Sequence, residues 1–269
     1  MRVHHLSCGT LCPHGGRFVS GDGPARVVCH CLLIEAGDAL VLVDTGFGLA
    51  DAANLRRRLG VPFSLTMRPQ ADPSETAVEQ VRTLGLDPSD VRRILCTHLD
   101  LDHAGGLPDF PHAEVHVFAP EREVAVNPSL RDRARYPTCH FDHGPNWVEH
   151  EVDGDRWMGF ESIRVLPGVE PEILMIPLVG HSRGHTGVAV RDGDGWLLHC
   201  GDAYFHRGQV EEEPTCPPGL RMFQSIVADN RDARLKNEQR LNRLAREHGG
   251  EVRLFCAHDP VELERMQAA

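Results

Sequence analysis

Residues 96–106 read CTHLDLDHAGG and place His98, Asp100, Asp102 and His103 within six positions. Imidazole nitrogens and carboxylate oxygens are the donors that hold divalent transition cations, so metal binding is the natural chemistry of so dense a cluster. Further along, the same residue types stand in short segments: His181 in PLVGHSRGH, Asp202 in LLHCGDAY and His258 in LFCAHDP. These seven donors suffice for two adjacent cations if one carboxylate bridges. They suit Zn, Mn, Fe or Co, and the lack of a cysteine among them disfavours a structural thiolate zinc site. Water is a poor nucleophile at neutral pH. A bound divalent cation can lower its pKa from 15.7 to about 7, so hydrolysis is the chemistry such a pair would perform.

Each donor group stands just past an expected strand, where a rigid scaffold presents side chains to a cleft. VRRILCT (91–97) is a buried-strand pattern running straight into the cluster. VVCHCLLIEAGDALVLVDTG (27–46) reads as a β-hairpin turning through Glu35-Ala36-Gly37-Asp38 and ending at Asp44-Thr45-Gly46. A helix is expected at 50–59, stopped by Gly60. Another opens at Asp72-Pro73-Ser74-Glu75, with Ala77, Val78, Val81 and Leu84 on one face and Gly85 as its cap. AEVHVFA (113–119) alternates as a strand. Residues 121–160 are polar, aromatic and Pro/Gly-punctuated, which predicts a loop-rich insertion.

IRVL (163–166), EILMIPL (172–178) and the hairpin 187–200, turning at Asp192-Gly193-Asp194-Gly195, restore strand patterning. A helix over Asp229–His248 follows, with Arg234, Arg240, Arg243 and Arg246 as its wet face, and VRLFCAH (252–258) is the last strand. This order predicts two sheets covered by helices in one domain spanning 1–269, with no linker long enough to divide it.

The net charge of −11 argues against nucleic acid or an anionic membrane surface as partner. No apolar run approaches the roughly 18 residues needed to span a bilayer. The N-terminal stretch lacks the apolar core of a secretory signal. Nine scattered cysteines suit a reduced, cytoplasmic setting better than a disulfide framework. A small-molecule substrate is the expected partner, and the oligomeric state stays open.

THLDLDHAGG resembles the THxHxDHxGG signature of the metallo-β-lactamase superfamily. DTG (44–46), GHSRGH (180–185), GDAY (201–204) and the terminal AHDP follow in that family's order, so the resemblance covers about residues 27–260. It implies an α+β fold, a four-layer αββα sandwich. It also implies two divalent metal ions, zinc foremost: one held by His98, Asp100 and His181, the second by Asp102, His103 and His258, with Asp202 bridging. Asp44 and His185 would support the ligands. In such enzymes a metal-bridging hydroxide attacks the substrate, and Asp102 would orient it and accept its proton.

Asp100 stands where the family has histidine. Its harder oxygen favours Mn or Fe. With three carboxylates and a bridging hydroxide, two divalent ions sum to a charge of about zero, against about +1 with histidine.

Among superfamily members the pattern is most similar to N-acyl-homoserine lactonases, which implies a carboxylic ester substrate, most of all a lactone. Those enzymes carry a tyrosine usually three residues after the bridging aspartate. Tyr204, two residues after Asp202, is the expected donor to the oxyanion or leaving group. The alternatives are a thioester hydrolase of the hydroxyacylglutathione type and a non-catalytic metal- or ligand-binding member of the fold. A basic patch gripping a glutathione carboxylate would favour the first, but Lys236 is the only lysine. His4, His5, Cys8, Cys12 and His14 match no closed tetrahedral zinc spacing and suggest packing plus a substrate-facing loop. His140 and His143, near Trp147, could line the entrance.

Overall fold

In strand Val27–Ala36, Leu32 and Ile34 enter one apolar core while Cys31 and Leu33 enter another. A strand whose successive side chains alternate in direction, yet are all apolar, must be covered on both faces. That property sets the layering. The computed structural model describes residues 2–21, 23–37 and 39–269. A seven-stranded sheet runs in the order Pro69–Gln70, Arg2–Leu11, Val27–Ala36, Ala39–Val43, Val91–Leu95, Glu114–Phe118 and Asn146–His150. A five-stranded sheet contains Ile163–Arg164, Ile173–Pro177, Thr186–Asp192, Gly195–His199 and Val252–Phe255.

Leu32, Val41 and Leu95 of the first sheet meet Met175, Val188 and Phe255 of the second in a shared core. The first sheet's outer face packs on Val78 and Val81 of helix Ala77–Thr83, and the second's on Leu241 and Leu244 of helix Arg231–His248. The result is the expected helix–sheet–sheet–helix sandwich. Among the described residues no helix is long and apolar enough to cross a membrane.

The hairpin at 27–46 forms with Ala36 opposite Ala39 and Gly37 in the turn; Asp38 lies outside the described residues. The helix expected at 50–59 is two, Leu49–Ala53 and Leu55–Leu59. Asn54 leaves helical geometry at φ −157° and caps the second by accepting the N–H of Arg57. The stretch expected to be loop-rich contains helix Ala119–Val126 and strand Asn146–His150, which joins the sheet edge parallel to Glu114–Phe118. Arg234 is not on the wet face of its helix: it is buried, donating to Glu238 Oε2 (2.8 Å) and Gln224 Oε1 (3.0 Å).

Candidate metal centre

The strand ends converge at one mouth of the sandwich, and a buried carboxylate orders them. Asp44, ending strand Ala39–Val43, is a non-glycine residue in the left-handed region at φ 56°, the kind of strain that persists where surrounding bonds fix it. Its Oδ1 accepts the Thr97 N–H (2.7 Å), and its Oδ2 accepts the Thr97 hydroxyl (2.7 Å) and His103 Nδ1–H (2.8 Å). Thr97, having given its proton to Asp44, accepts from His98 Nδ1 at 3.0 Å. His258 Nδ1 donates to the Val28 carbonyl at 2.8 Å. In all three rings Nδ1 is engaged, which turns Nε2 toward a common centre.

Around that centre two groups of donors form, His98/His181/Asp202 and Asp102/His103/His258. Asp100 Oδ2 joins the first, 3.5 Å from His98 Nε2 and 3.1 Å from His181 Nε2. Asp202 Oδ2 lies 3.8 Å from His98 Nε2 and 3.3 Å from His181 Nε2. Donors bound at about 2.0–2.1 Å in a tetrahedron stand roughly 3.3–3.4 Å apart, so the first group has the right size for a cation. Asp202 Oδ1 faces the second group, 3.2 Å from His103 Nε2 and 3.0 Å from His258 Nε2; Asp102 Oδ2 is 3.9 Å from His258 Nε2. One carboxylate thus addresses both groups. Among the described residues, His98 Nε2, His103 Nε2 and Asp202 Oδ1 are buried without a hydrogen-bond partner, as ligand atoms awaiting a cation would be. The residues fit divalent metal.

Charge follows the same geometry. Burial works against ionisation of Asp202, but His258 and His103 outweigh it and hold the carboxyl well below its usual range. Burial would likewise strip His103 and His258 of protons, yet Asp202 beside both keeps each above the ordinary imidazole range.

His185 has both ring nitrogens bonded to the protein's own backbone. Its Nδ1 donates to the Leu178 carbonyl (3.0 Å) and its Nε2 accepts the Asp202 N–H (2.8 Å), which uses both nitrogens. Gly201, at φ 52°, lets this happen, because a Cβ there would lie 2.5 Å from His185 Nε2.

Two residues carry no sequence signal. Glu121, fully buried, accepts the Leu99 N–H and Tyr136 hydroxyl on Oε1 and the Ser182 hydroxyl and Gly184 N–H on Oε2. It ties together both ligand-bearing loops and the segment carrying Arg135. Arg135 pairs with both oxygens of Asp100, Nε to Oδ1 and an Nη to Oδ2, each at 2.7 Å. Burial alone would raise the Asp100 carboxyl, and Arg135 foremost holds it well below its usual range instead.

The structure moves Tyr204 out of the site. Its side chain is fully buried and its hydroxyl donates to Glu262 at 3.0 Å, because the turn after Asp202 directs residue 204 toward the helix Pro260–Gln267. Phe205, three residues after Asp202, is the side chain that faces the cluster, its ring centroid 4.7 Å from that of His258 and 5.8 Å from that of His181. Where the lactonase pattern has a phenol, this chain has a bare ring. Tyr204→Phe is therefore expected to leave kcat/KM within about threefold of the parent while lowering stability by roughly 1–2 kcal/mol, the cost of an unmade buried hydrogen bond. A large fall in kcat/KM with an unchanged melting temperature would return the hydroxyl to the chemistry.

His140 does not line an entrance either. It is buried and bonds Asp51 Oδ1 at 3.0 Å. Trp147 packs on the sheet edge beneath the Arg122 guanidinium. His4 pairs with Glu35 and His5 with His30, while His14 faces the cavity.

That cavity, about 590 Å³, has Asp100, Asp102, His181, Asp202 and His258 as its polar floor. Its walls are mostly apolar, with Phe18, Phe63, Leu220, Phe223 and Ile226 among them, and Arg131 and Arg135 also line it.

Most of the chain is similar to known proteins. Residues 24–243 match the family model of the metallo-beta-lactamase superfamily. The chain is 42% identical over 261 residues to the probable metallo-hydrolase Rv2300c of Mycobacterium tuberculosis, covering 97% of this chain and 81% of that protein. It is 30% identical over 265 residues to the N-acyl homoserine lactonase AttM of Azorhizobium caulinodans, covering 97% and 94%. In fold it resembles an N-acyl homoserine lactone hydrolase solved with N-hexanoyl-L-homoserine at its catalytic metal center, at a TM-score of 0.71 and 20% identity over 99% of this chain and 95% of that one. With the donor loops in place and a family model spanning most of its length, the chain belongs to the metallo-beta-lactamase superfamily, a family of metal-dependent hydrolases.

Proposed function

We propose that the protein is a two-cation hydrolase of carboxylic esters and that its substrates are lactones carrying an apolar acyl chain. The observation that carries this reading is the cavity: a mostly apolar space whose lining includes the donor residues Asp100, Asp102, His181, Asp202 and His258, with Arg131 and Arg135 beside them. Such a shape takes a molecule with one reactive polar end and one greasy tail. The lactonases among the relatives support the same substrate class.

When bound, divalent cations polarise an ester carbonyl and make water a nucleophile at neutral pH; zinc is the first candidate, with manganese or iron favoured by the oxygen of Asp100. The protein's own residues do the rest. Asp202, shared between both donor groups, fixes their spacing. To Asp102, which lines the cavity, this reading gives the orienting of the attacking water and the acceptance of its proton. Phe205 closes one side and excludes bulk water from the cluster. The Asp44–Thr97–His98 and Asp44–His103 hydrogen bonds keep the rings from rotating.

A pH-indicator assay on the metal-loaded protein tests this. Rates on a homologous series of acylated lactones should rise about fourfold in kcat/KM per added methylene, the equivalent of about 0.8 kcal/mol of apolar burial, until the cavity is filled. Leu220→Asp should flatten the series. Rates indifferent to chain length, or phosphotriesters and thioesters hydrolysed faster than any lactone, would overturn the assignment.

A further inference from the structure

Arg135 has all five N–H donors committed. Nε and one Nη–H grip the two oxygens of Asp100. The second hydrogen of that same Nη points at His181 Nε2, 2.8 Å away. The other Nη donates to the carbonyls of His181 (3.1 Å) and Val227 (3.0 Å), the latter at the end of helix Pro218–Val227, where carbonyls lack helical partners. A guanidinium only donates, so His181 Nε2 must accept. The lone pair it offers to Arg135 is the one the first cation needs, and Asp100 Oδ2 is shared in the same way. His181 Nε2 and Asp100 Oδ2, both acceptors, stand only 3.1 Å apart, a contact that is favourable only with a positive charge against both. Arg135 is that charge.

Among the described residues no guanidinium stands against the second donor group. Among the described residues no arginine or lysine pairs with Asp102 or Asp202; their charged neighbours are the histidines of the cluster.

We propose that Arg135 is a built-in competitor for the first cation, so that the two sites load unequally: the Asp102/His103/His258 site first, the His98/Asp100/His181 site second and more weakly. The inference rests on the two-cation reading above. It also revises what the replacement of histidine by Asp100 does. The carboxylate arrives with its own counter-charge, and the Asp100–Arg135 pair carries no net charge, as a neutral histidine would. The guanidinium tunes metal occupancy through the ligands it holds, making it a positioning residue.

The test is a calorimetric titration of the metal-stripped protein with Zn²⁺, read alongside metal content after dialysis, neither of which depends on turnover. The parent should show two binding steps of different affinity and, after dialysis at limiting Zn²⁺, about one ion per chain. Arg135→Gln should tighten the weaker step by about 10- to 100-fold, the range typical of groups that contact ligands without being ligands, and leave the tighter step unchanged. Arg135→Lys, which keeps a positive charge but cannot span Asp100 and His181 together, should tighten it less and serves if the glutamine variant does not fold. A parent that fills both sites in a single step of equal affinity would overturn the competition while leaving the two-cation reading intact, as would variants whose two steps shift equally. A parent that takes up no Zn²⁺ would overturn both.

Discussion

Asp202→Asn is expected to lower kcat/KM on the best ester substrate by roughly a thousandfold, about 4 kcal/mol of transition-state stabilisation at about 1.4 kcal/mol per factor of ten. The size follows from position. Among the described residues Asp202 is the one carboxylate that addresses both donor groups, Oδ2 toward His98 and His181 and Oδ1 toward His103 and His258. Asparagine keeps the shape but removes one negative charge. It also turns an amide N–H₂ into one of the two groups, where it repels a cation. The backbone N–H of residue 202 still bonds His185, so the turn survives and the circular dichroism spectrum should not change. Steady-state kinetics on the metal-loaded variant decides the point. Turnover equal to the parent would take Asp202 out of the centre.

Stripping the metal with a chelator is the second large effect. Hydrolysis should fall to background, and re-addition of Zn²⁺ or Mn²⁺ should restore it. Saturating a site at about 100 times its dissociation constant stabilises the fold by about 2.7 kcal/mol, which for a chain of this size is roughly 5–10 °C in melting temperature per site. The pH dependence has a definite sign. In the metal-free protein the carboxylate of Asp202 holds protons on His103 and His258 above the ordinary imidazole range. Those nitrogens must be deprotonated to bind metal, so loading releases protons, and affinity rises as pH climbs from about 6.5 through the raised values. Calorimetry in buffers of different ionisation heat reads the release directly. Heats independent of buffer would mean that His103 and His258 are already neutral.

The donor cluster was legible because its chemistry is local and its scaffold periodic. His98, Asp102 and His103 sit in one turn, and Asp202 and His258 each follow an apolar run that could only be a buried strand, so their convergence follows from strand ends meeting at one mouth. The role of Asp44 was legible for the same reason. What escaped reading depends on direction and on distance in the chain. Tyr204 and Phe205 are neighbours, and nothing in the segment says which of the two faces the cavity; the turn at Gly201 and the hydrogen bond to Glu262 decide it. Glu121 and Arg135 lie in a stretch without long periodicity, and their partners are 15–63 and 35–92 residues away. A loop-rich insertion is what 121–160 suggests, and strand Asn146–His150 within it gains its order from pairing with Glu114–Phe118, a long-range contact that a five-residue pattern does not announce.

The most direct measurement is diffraction from crystals grown at saturating Zn²⁺, with data collected across the zinc absorption edge. Two anomalous peaks are expected about 3.5–4 Å apart. One should lie among His98, His181 and Asp202, and the other among Asp102, His103 and His258, with a carboxylate oxygen of Asp202 turned to each. A single peak bound elsewhere, or no peak within reach of these side chains, would contradict the two-cation centre on which the proposed hydrolysis depends.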